Sequence, residues 1–232
     1  MFAMRQNMNT SLNADIQMYE KTIMPCCYLP PISFWSIFFN SQEVEIEYCE
    51  NFVKSTFRNR CEIAGANGVL KLSIPIEGGK SHRQLFKDTR IANEIHWQKH
   101  HWQSLCSAYR RSAYFEYYEE KFIPFYERKF RFLFDFNVAL MEMIVNLLQV
   151  NKLLRFTKNF QKCYDVSVLD LRNRFKSCNE DFSVGSKLFT PPRYFQCFEM
   201  RNGFLPNLSI VDILFSEGQQ AFLSIKNSLS EA

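Results

Sequence analysis

TIMPCCYL (22 to 29) is a short, continuous apolar run stopped by Pro30-Pro31, the pattern of a buried strand, and ISFWSIFFN (32 to 40) follows as a short apolar helix. VEIEY (44 to 48) then alternates, with Val44, Ile46 and Tyr48 on one face. Together these segments predict a strand-helix-strand opening. The clearest alternation comes next, in FRNRCEIAGANGVLKLSIPI (57 to 76), where two runs flank Asn67-Gly68, the preferred pair for a two-residue type I′ turn. A turn at that pair sets Ile63 opposite Leu72 and Cys61 opposite Ile74, and gathers Phe57, Cys61, Ile63, Leu70, Leu72 and Ile74 on one apolar face. The other face carries Lys54, Thr56, Arg58, Arg60, Glu62, Lys71 and Pro75, and a proline within the strand points to an edge position.

Past EGGKSH, the segment QLFKDTRI reads as a strand, and helical periodicity sets in near residue 94. Pro124 predicts an interruption and so at least two helices between 94 and 128. From 128 to 150 the polar residues Asp135, Glu142, Asn146 and Gln149 fall on one narrow stripe of an otherwise apolar helix, which predicts a largely buried element. Residues 158 to 195 are more polar and read as loop or short helices, RYFQCF (193 to 198) as a strand, and SIVDILFSEG as a helix that begins at Ser209 and ends at Gly218. The pattern predicts one mixed α/β domain over 21 to 232, with a loose tail over 1 to 20. Its mixed sheet contains the opening strand, the antiparallel Asn-Gly hairpin and RYFQCF, covered by the helices of 94 to 150.

Composition narrows the function classes. Only 7 glycines are present and none forms GxGxxG or GxxxxGK[ST], which removes the common phosphate-cradling loops. A net charge of +4 without clustering argues against nucleic acid as a partner. Eight cysteines without CxxC spacing read as reduced thiols of a cytoplasmic protein. The N-terminal stretch lacks the apolar core of a secretory signal, and FNVALMEMIVNLLQV is interrupted by Glu142, Asn146 and Gln149 and falls short of the ~20 residues of a membrane span. No transmembrane segment and no cofactor are expected.

The candidate chemistry centres on HWQKHHW (96 to 102), which holds three of the chain's four histidines. On a helix His101 shares the apolar face of Trp97, Leu105, Ala108 and Tyr109, His100 falls at its border, and His96 points to solvent. The spacing of His96 and His100 suits zinc, but Trp97 stands where a metalloprotease helix has its glutamate and no third ligand is evident, so no metal is expected. His101 is read either as a general base whose burial holds its pKa at or below neutrality, or as a core histidine bonded to a carbonyl. Lys54, Arg58 and Arg60 form a cationic row that suits a phosphate, or else a solvated face partly neutralised by Glu62, or, for Arg58, a structural ion pair with a carboxylate such as Glu45 or Glu47 on a neighbouring strand. Asn59 and Asn137 land on apolar faces, where a buried amide needs either backbone partners or a polar ligand. Ser209 and Asp212 read as the cap and the acidic member of a capping box. Cys27 has no base placed near it by sequence.

Several ordered motifs resemble the WbqC-like family, in the branch common in Bacteroidetes, over about 24 to 225: YLPPISFW, NFVKSTFRNRCEIAGANGVLKLSIPI, HWQKHHWQSLCSAYRRSAYFEYY, FLFDFN and GFLPNLSIVDILFSEG. That resemblance implies a role in O-antigen or other surface-polysaccharide synthesis. The implied chemistry is acyl or aminoacyl transfer to an amino-sugar or nucleotide-sugar, with an anionic small molecule such as a nucleotide-sugar or acyl donor as partner. The motifs pick out Tyr28, Pro30, Lys54, Arg58, Asn59, Arg60, His101, Tyr109, Asn137, Asn207, Ser209 and Asp212, with His101 in the catalytic role and the polar side chains binding substrate. One departure stands out. Where many relatives carry His-Gln-Pro before Tyr-Leu-Pro, this chain has Met24, Pro25, Cys26 and Cys27, which leaves open a non-catalytic binding or scaffold protein of the same fold.

Overall fold

Strand β1 (Lys21–Pro25) is the axis of the fold: Thr22, Ile23 and Met24 are all buried, as a strand covered on both faces requires. It pairs in parallel with β2 (Val44–Glu47) on one side and β6 (Val168–Asp170) on the other, and β5 (Arg155–Phe156) extends the sheet beyond β2 in the order β5-β2-β1-β6. The computed structural model describes residues 19–78, 84–175 and 189–229 as a single mixed α/β domain. Most of the expected tail, most of EGGKSH and part of the 158 to 195 loop lie outside those residues.

Helix α1 (Ile32–Asn40) carries the crossover from β1 to β2, and every residue from Ile32 to Phe39 is buried, so an apolar surface all round is what its position demands. Pro31 cannot cap it. The side chain of Asn207, far along the chain, does so instead, its Oδ1 accepting from the Ser33 N–H at 2.7 Å. At the other end Lys152 Nζ donates to the carbonyls of Phe38 and Ser41. Burial in this position pulls the Lys152 ammonium down to a pKa of about 8, with Lys226 adding to the shift.

The hairpin is present as β3 (Arg60–Gly65) and β4 (Gly68–Ser73), but its register differs from expectation. Cys61 faces Leu72 and Ile63 faces Leu70, so the turn residues are Ala66 and Asn67. Neither has a positive φ, whereas Gly68 has φ 103°, the arrangement of a type I turn closed by a glycine bulge. Each partner is displaced by two residues, which preserves the faces: Phe57, Cys61, Ile63, Leu72 and Ile74 are buried, and Leu70 near the tip is exposed. The hairpin forms its own two-stranded sheet. Its base reaches the first sheet through the Tyr28 N–H, which donates to the Phe57 carbonyl just beyond β1.

Two expected strands are not strands. QLFKDTRI forms a 3-10 turn at Phe86–Asp88, because Phe86 is drawn into the core against Phe52 and Phe134. RYFQCF has no ladder, because the Gln196 side chain takes over the pairing, accepting from the Leu205 N–H and donating to its carbonyl, both at 2.8 Å. Conversely β6 lies within the stretch expected to be loop.

The helical region divides into α2 (Trp97–Tyr109), α3 (Phe115–Glu127) and α4 (Leu133–Leu147). The break falls at 110–114, where the Tyr114 N–H turns to the Phe215 carbonyl, and not at Pro124, which sits inside α3. Pro124 and Glu120 are both exposed, so the carbonyl freed by the proline faces water. The stripe of Asp135, Glu142 and Asn146 on α4, continued by Gln149, is exposed as expected. After the single turn α5 (Glu199–Asn202), α6 (Ile210–Glu217) ends at Gly218 with φ 62°, and α7 (Ala221–Asn227) packs on α1 through Phe222 against Phe39. Gly218 is doubly required, since a Cβ there would lie 2.8 Å from the Tyr114 ring.

Candidate functional site

Parallel strands direct their carboxyl ends to one edge, and here that edge gathers charge. The chain leaves β1 toward β2 but returns as β6 on β1's other side, the kind of switch point where open α/β sheets hold ligands. Glu47 ends β2 and is fully buried; it accepts from Thr157 Oγ1 at 2.6 Å, the Cys49 N–H at 2.8 Å and Arg172 Nη1 at 3.0 Å. Arg172 also grips Asp170 in a two-point fork of 2.9 and 2.6 Å. Burial opposes ionisation of Asp170, but that fork outweighs it and holds the carboxyl below its usual value.

Arg58 belongs to this edge. It lies in the loop before β3, only 1% exposed, with Nε and Nη2 on the two oxygens of Glu50 at 2.7 and 2.6 Å and Nη2 also on the Arg172 carbonyl. Burial raises the pKa of Glu50 against the pull of Arg58. The expected strand-borne row of Lys54, Arg58 and Arg60 is therefore not formed: Lys54 is exposed on the loop, Arg58 is an internal ion pair, and Arg60 alone starts the strand. The loop bends at Ser55, whose φ is 61°, and turns Arg58 inward.

A second group surrounds His101. Its Nδ1 lies 3.0 Å from the Tyr28 hydroxyl, which lies 3.0 Å from the Tyr126 hydroxyl. The Ser73 backbone also bonds the ring; with that carbonyl taking the ring N–H, Nδ1 accepts from Tyr28, whose oxygen accepts from Tyr126. Burial lowers the His101 pKa to about 4, outweighing the Ser73 carbonyl, and His100 adds to the lowering. Tyr28 is fully buried and His101 is 4% exposed, packed on Trp97. The geometry favours the core-histidine reading over the general base.

The base of the hairpin behaves differently. Asn59 Nδ2 donates to the Ile74 carbonyl and Asn137 Nδ2 to the Arg58 carbonyl, yet both Oδ1 atoms are buried without a partner among the described residues. Arg60 Nε, Asn93 Oδ1 and Trp97 Nε1 share that condition. These residues are linked: Arg60 faces Ser73, Asn59 exchanges bonds with Ile74, the Pro75 carbonyl accepts from Ala92 beside Asn93, and Trp97 packs on His101. Asn59, Arg60 and Asn93 are half-buried and form the outer layer, with Trp97 and Asn137 deeper.

The third group joins the hairpin, α2 and the C-terminal segment. Asp212 Oδ2 accepts from Tyr194 at 2.7 Å and Gln196 at 2.8 Å, while the Tyr109 hydroxyl accepts from the Ala64 N–H at 3.1 Å and bonds Asp212. Burial raises the Asp212 pKa against these bonds. The capping box is thus not formed: Asp212 faces the tyrosines, and Ser209 Oγ donates to the Leu29 carbonyl at 2.8 Å. With the Ser209 N–H on the Glu62 carbonyl and Asn207 on α1, the strap 207–209 pins YLPPISFW to the hairpin. Tyr28 with His101, Tyr109 with Asp212, and Arg58 with Asn137 are thus brought together; Lys54 stands apart, and Asn207 and Ser209 serve the scaffold.

The sequence reading missed Glu50, Asp170 and Arg172, and the carboxylate that Arg58 meets is Glu50, while Glu47 on the neighbouring strand pairs with Arg172. Cys26 and Cys27 are fully buried, and burial pushes Cys27 up to about 12, so both are neutral thiols. Among the described residues no three His, Cys, Asp or Glu side chains converge to hold a metal ion, and no helix is long and apolar enough to cross a membrane.

No curated protein and no solved structure matches the chain. The family model of WbqC-like proteins matches residues 26–179, which takes in the charged edge, the hairpin, His101 and Asn137 and ends before the 207–212 strap. The chain belongs to the WbqC-like protein family.

Proposed function

We propose that this protein acts in the cytoplasm in O-antigen or other surface-polysaccharide synthesis, binding an anionic nucleotide-sugar or acyl donor at the base of the hairpin and serving acyl or aminoacyl transfer to an amino-sugar. The observation that carries this reading is the set of unpaired polar atoms on Asn59, Arg60, Asn93, Trp97 and Asn137. Buried polar atoms are paired as a rule, so five around one junction mark a place completed by a molecule from outside the chain. Their chemistry selects that molecule. Arg60 and Trp97 offer N–H groups to an anion or carbonyl, and three amide oxygens accept from an amine, amide or hydroxyl. Arg58 and His101 enter as the framework that holds Asn59 and Tyr28 in place.

The test is a thermal-shift screen with nucleotide-sugars, acyl-CoAs and aminoacyl donors. Ligand at 100 times its Kd stabilises the protein by about 2.7 kcal/mol, and Arg60→Ala removes that shift. Absence of a shift with all three classes ends this reading. A non-catalytic binder or scaffold is favoured by a different observation: His101 is enclosed and weakly basic, and Cys26 and Cys27 are buried neutral thiols. Ligand that binds and is recovered unchanged with each co-substrate supports the binder.

A further inference from the structure

We infer that the groove between the hairpin tip and the outer face of α2 is a separate binding site for a neutral sugar ring. It has a volume of about 300 Å³ and is lined by Gly65, Ala66 and Leu70 of the hairpin, by Phe198, and by His100, Gln103, Ser104, Ser107 and Ala108 of α2. The α2 residues recur at helical spacing and form one stripe that borders the buried face of Trp97, His101 and Leu105, with Ala108 shared between the two. This assigns a place to His100, which the site below does not use.

The lining decides the class of ligand. Among the described residues no Lys, Arg, Asp or Glu borders the groove, although the chain carries 28 basic and 24 acidic residues, so neither an anion nor a cation finds a counter-charge in its lining. What it offers is an amide, two hydroxyls and an imidazole on α2, with apolar surface from Leu70 and Phe198 beyond the helix and from Ala108 beside them. A sugar ring, with a rim of hydroxyls and apolar C–H faces, matches both kinds of wall at once. The volume lies at the small end of small-molecule sites, which suits one ring and not an extended chain.

The walls are held from behind. Asn202 Nδ2 binds the Gly65 carbonyl at 2.9 Å and Arg201 binds Asn67 Oδ1 at 3.0 Å, which fixes the tip against the segment carrying Phe198. Tyr109, next to Ala108, holds Ala64, next to Gly65, and Gln196 holds Asp212 two residues before Phe198. The buried Asp212 network is thus the brace of the groove. Gly65 allows the tight approach of the two strands at the tip, since a Cβ there would come within 3.1 Å of the Gly68 carbonyl and 3.2 Å of Leu70. A site whose walls are already fixed spends little of its binding energy on ordering them.

The inference goes beyond the proposed function: the groove lies at the hairpin tip, away from the hairpin base, and is lined by residues that reading does not use. The experiment is a two-dimensional NMR titration of the ¹⁵N-labelled protein with free glucose, galactose and N-acetylglucosamine. Saturable shifts are expected on Gly65, Ala66, Gln103, Ser104 and Ser107. Ser107→Trp, which fills the groove from an exposed position, abolishes them without lowering Tm, and Gln103→Ala weakens binding by about three- to tenfold, the effect of one hydrogen bond. No saturable shift with any of the three sugars, shifts that map elsewhere, or shifts that survive Ser107→Trp overturn the inference. Arg60→Ala separates the two proposals, because it removes the nucleotide-sugar response and leaves the monosaccharide shifts intact.

Discussion

Arg58 and Arg60 stand two residues apart and meet opposite fates. Arg58 is sealed at the carboxyl edge of the sheet with every neighbouring charge answered: Glu50 by Arg58, Glu47 and Asp170 by Arg172. Arg60 opens the hairpin with a buried Nε that nothing among the described residues accepts from, beside amides in the same condition. Among the described residues the edge answers its own charges, and the hairpin base leaves donors and acceptors open. The difference teaches that a cluster of charge at a switch point is not by itself a binding site, because a network that satisfies itself has little left to offer a substrate, whereas unanswered donors and acceptors do.

The comparison breaks most visibly at Arg58. Arg58→Ala strands the Glu50 carboxylate in the interior and is expected to cost about 3–5 kcal/mol in urea denaturation, whereas Arg60→Ala costs little. The double variant Arg58→Met, Glu50→Gln recovers much of the loss, since it leaves no uncompensated charge. A mild effect of Arg58→Ala alone would mean that the edge is more open to water than its burial shows.

Next in size is a pH effect in the enclosed histidine chain. The folded pKa of His101, about 4, lies below its unfolded value of 6.5, so the unfolded chain takes up the proton more readily. The contribution of neutral His101 is full above pH 6.5 and is lost as pH falls from 6.5 toward 4, by roughly 3 kcal/mol over the window. His101→Gln should flatten stability against pH in that range. An unchanged slope in the variant assigns the acid sensitivity to other groups.

A satisfied amide sharpens the contrast with the unsatisfied ones. Asn207 caps α1 and holds φ 54°, so Asn207→Ala loses a cap and strains the backbone, together about 2 kcal/mol. Asn207→Gly keeps the backbone geometry and should recover part of that in Tm. If alanine and glycine cost the same, the cap alone matters.

These sites were not equally legible in the sequence. Short-range signals carried well: the hairpin, the inward face of Trp97, His101 and Leu105, and the polar stripe of α4 all follow from periodicity, whereas VEIEY forms β2 but its alternation fails at the strand end, where Glu47 is buried and Tyr48 exposed. What periodicity cannot carry is a partner chosen by the tertiary fold. Ser209 looked like a cap because nothing local said that the Leu29 carbonyl would be waiting 180 residues away. RYFQCF looked like a strand because a glutamine side chain replacing a ladder leaves no pattern. Arg58 looked like one of a cationic row because alternation was extended through Ser55, where the backbone turns. Asn59 and Asn137 were legible as misplaced amides, and each kept one half of its amide bonded and one half open.

The smallest expected change in stability is the most telling about function. Arg60→Lys keeps the positive charge and the stem that packs along the hairpin but removes the planar N–H fork, including the buried Nε that lacks an acceptor among the described residues. Because that atom contributes no hydrogen bond to the apo fold, its removal should leave denaturation within about 0.5 kcal/mol of the parent, or slightly improve it. Binding of a phosphate- or carboxylate-bearing ligand should weaken measurably, since lysine cannot reproduce a two-point contact. Calorimetric titration of the parent and Arg60→Lys with the strongest hit of the ligand screen reads this directly. Equal affinities would remove Arg60 from the site and reduce the contrast with Arg58 to one of burial, whereas a loss of affinity at constant stability separates a residue kept for a ligand from one kept for the fold.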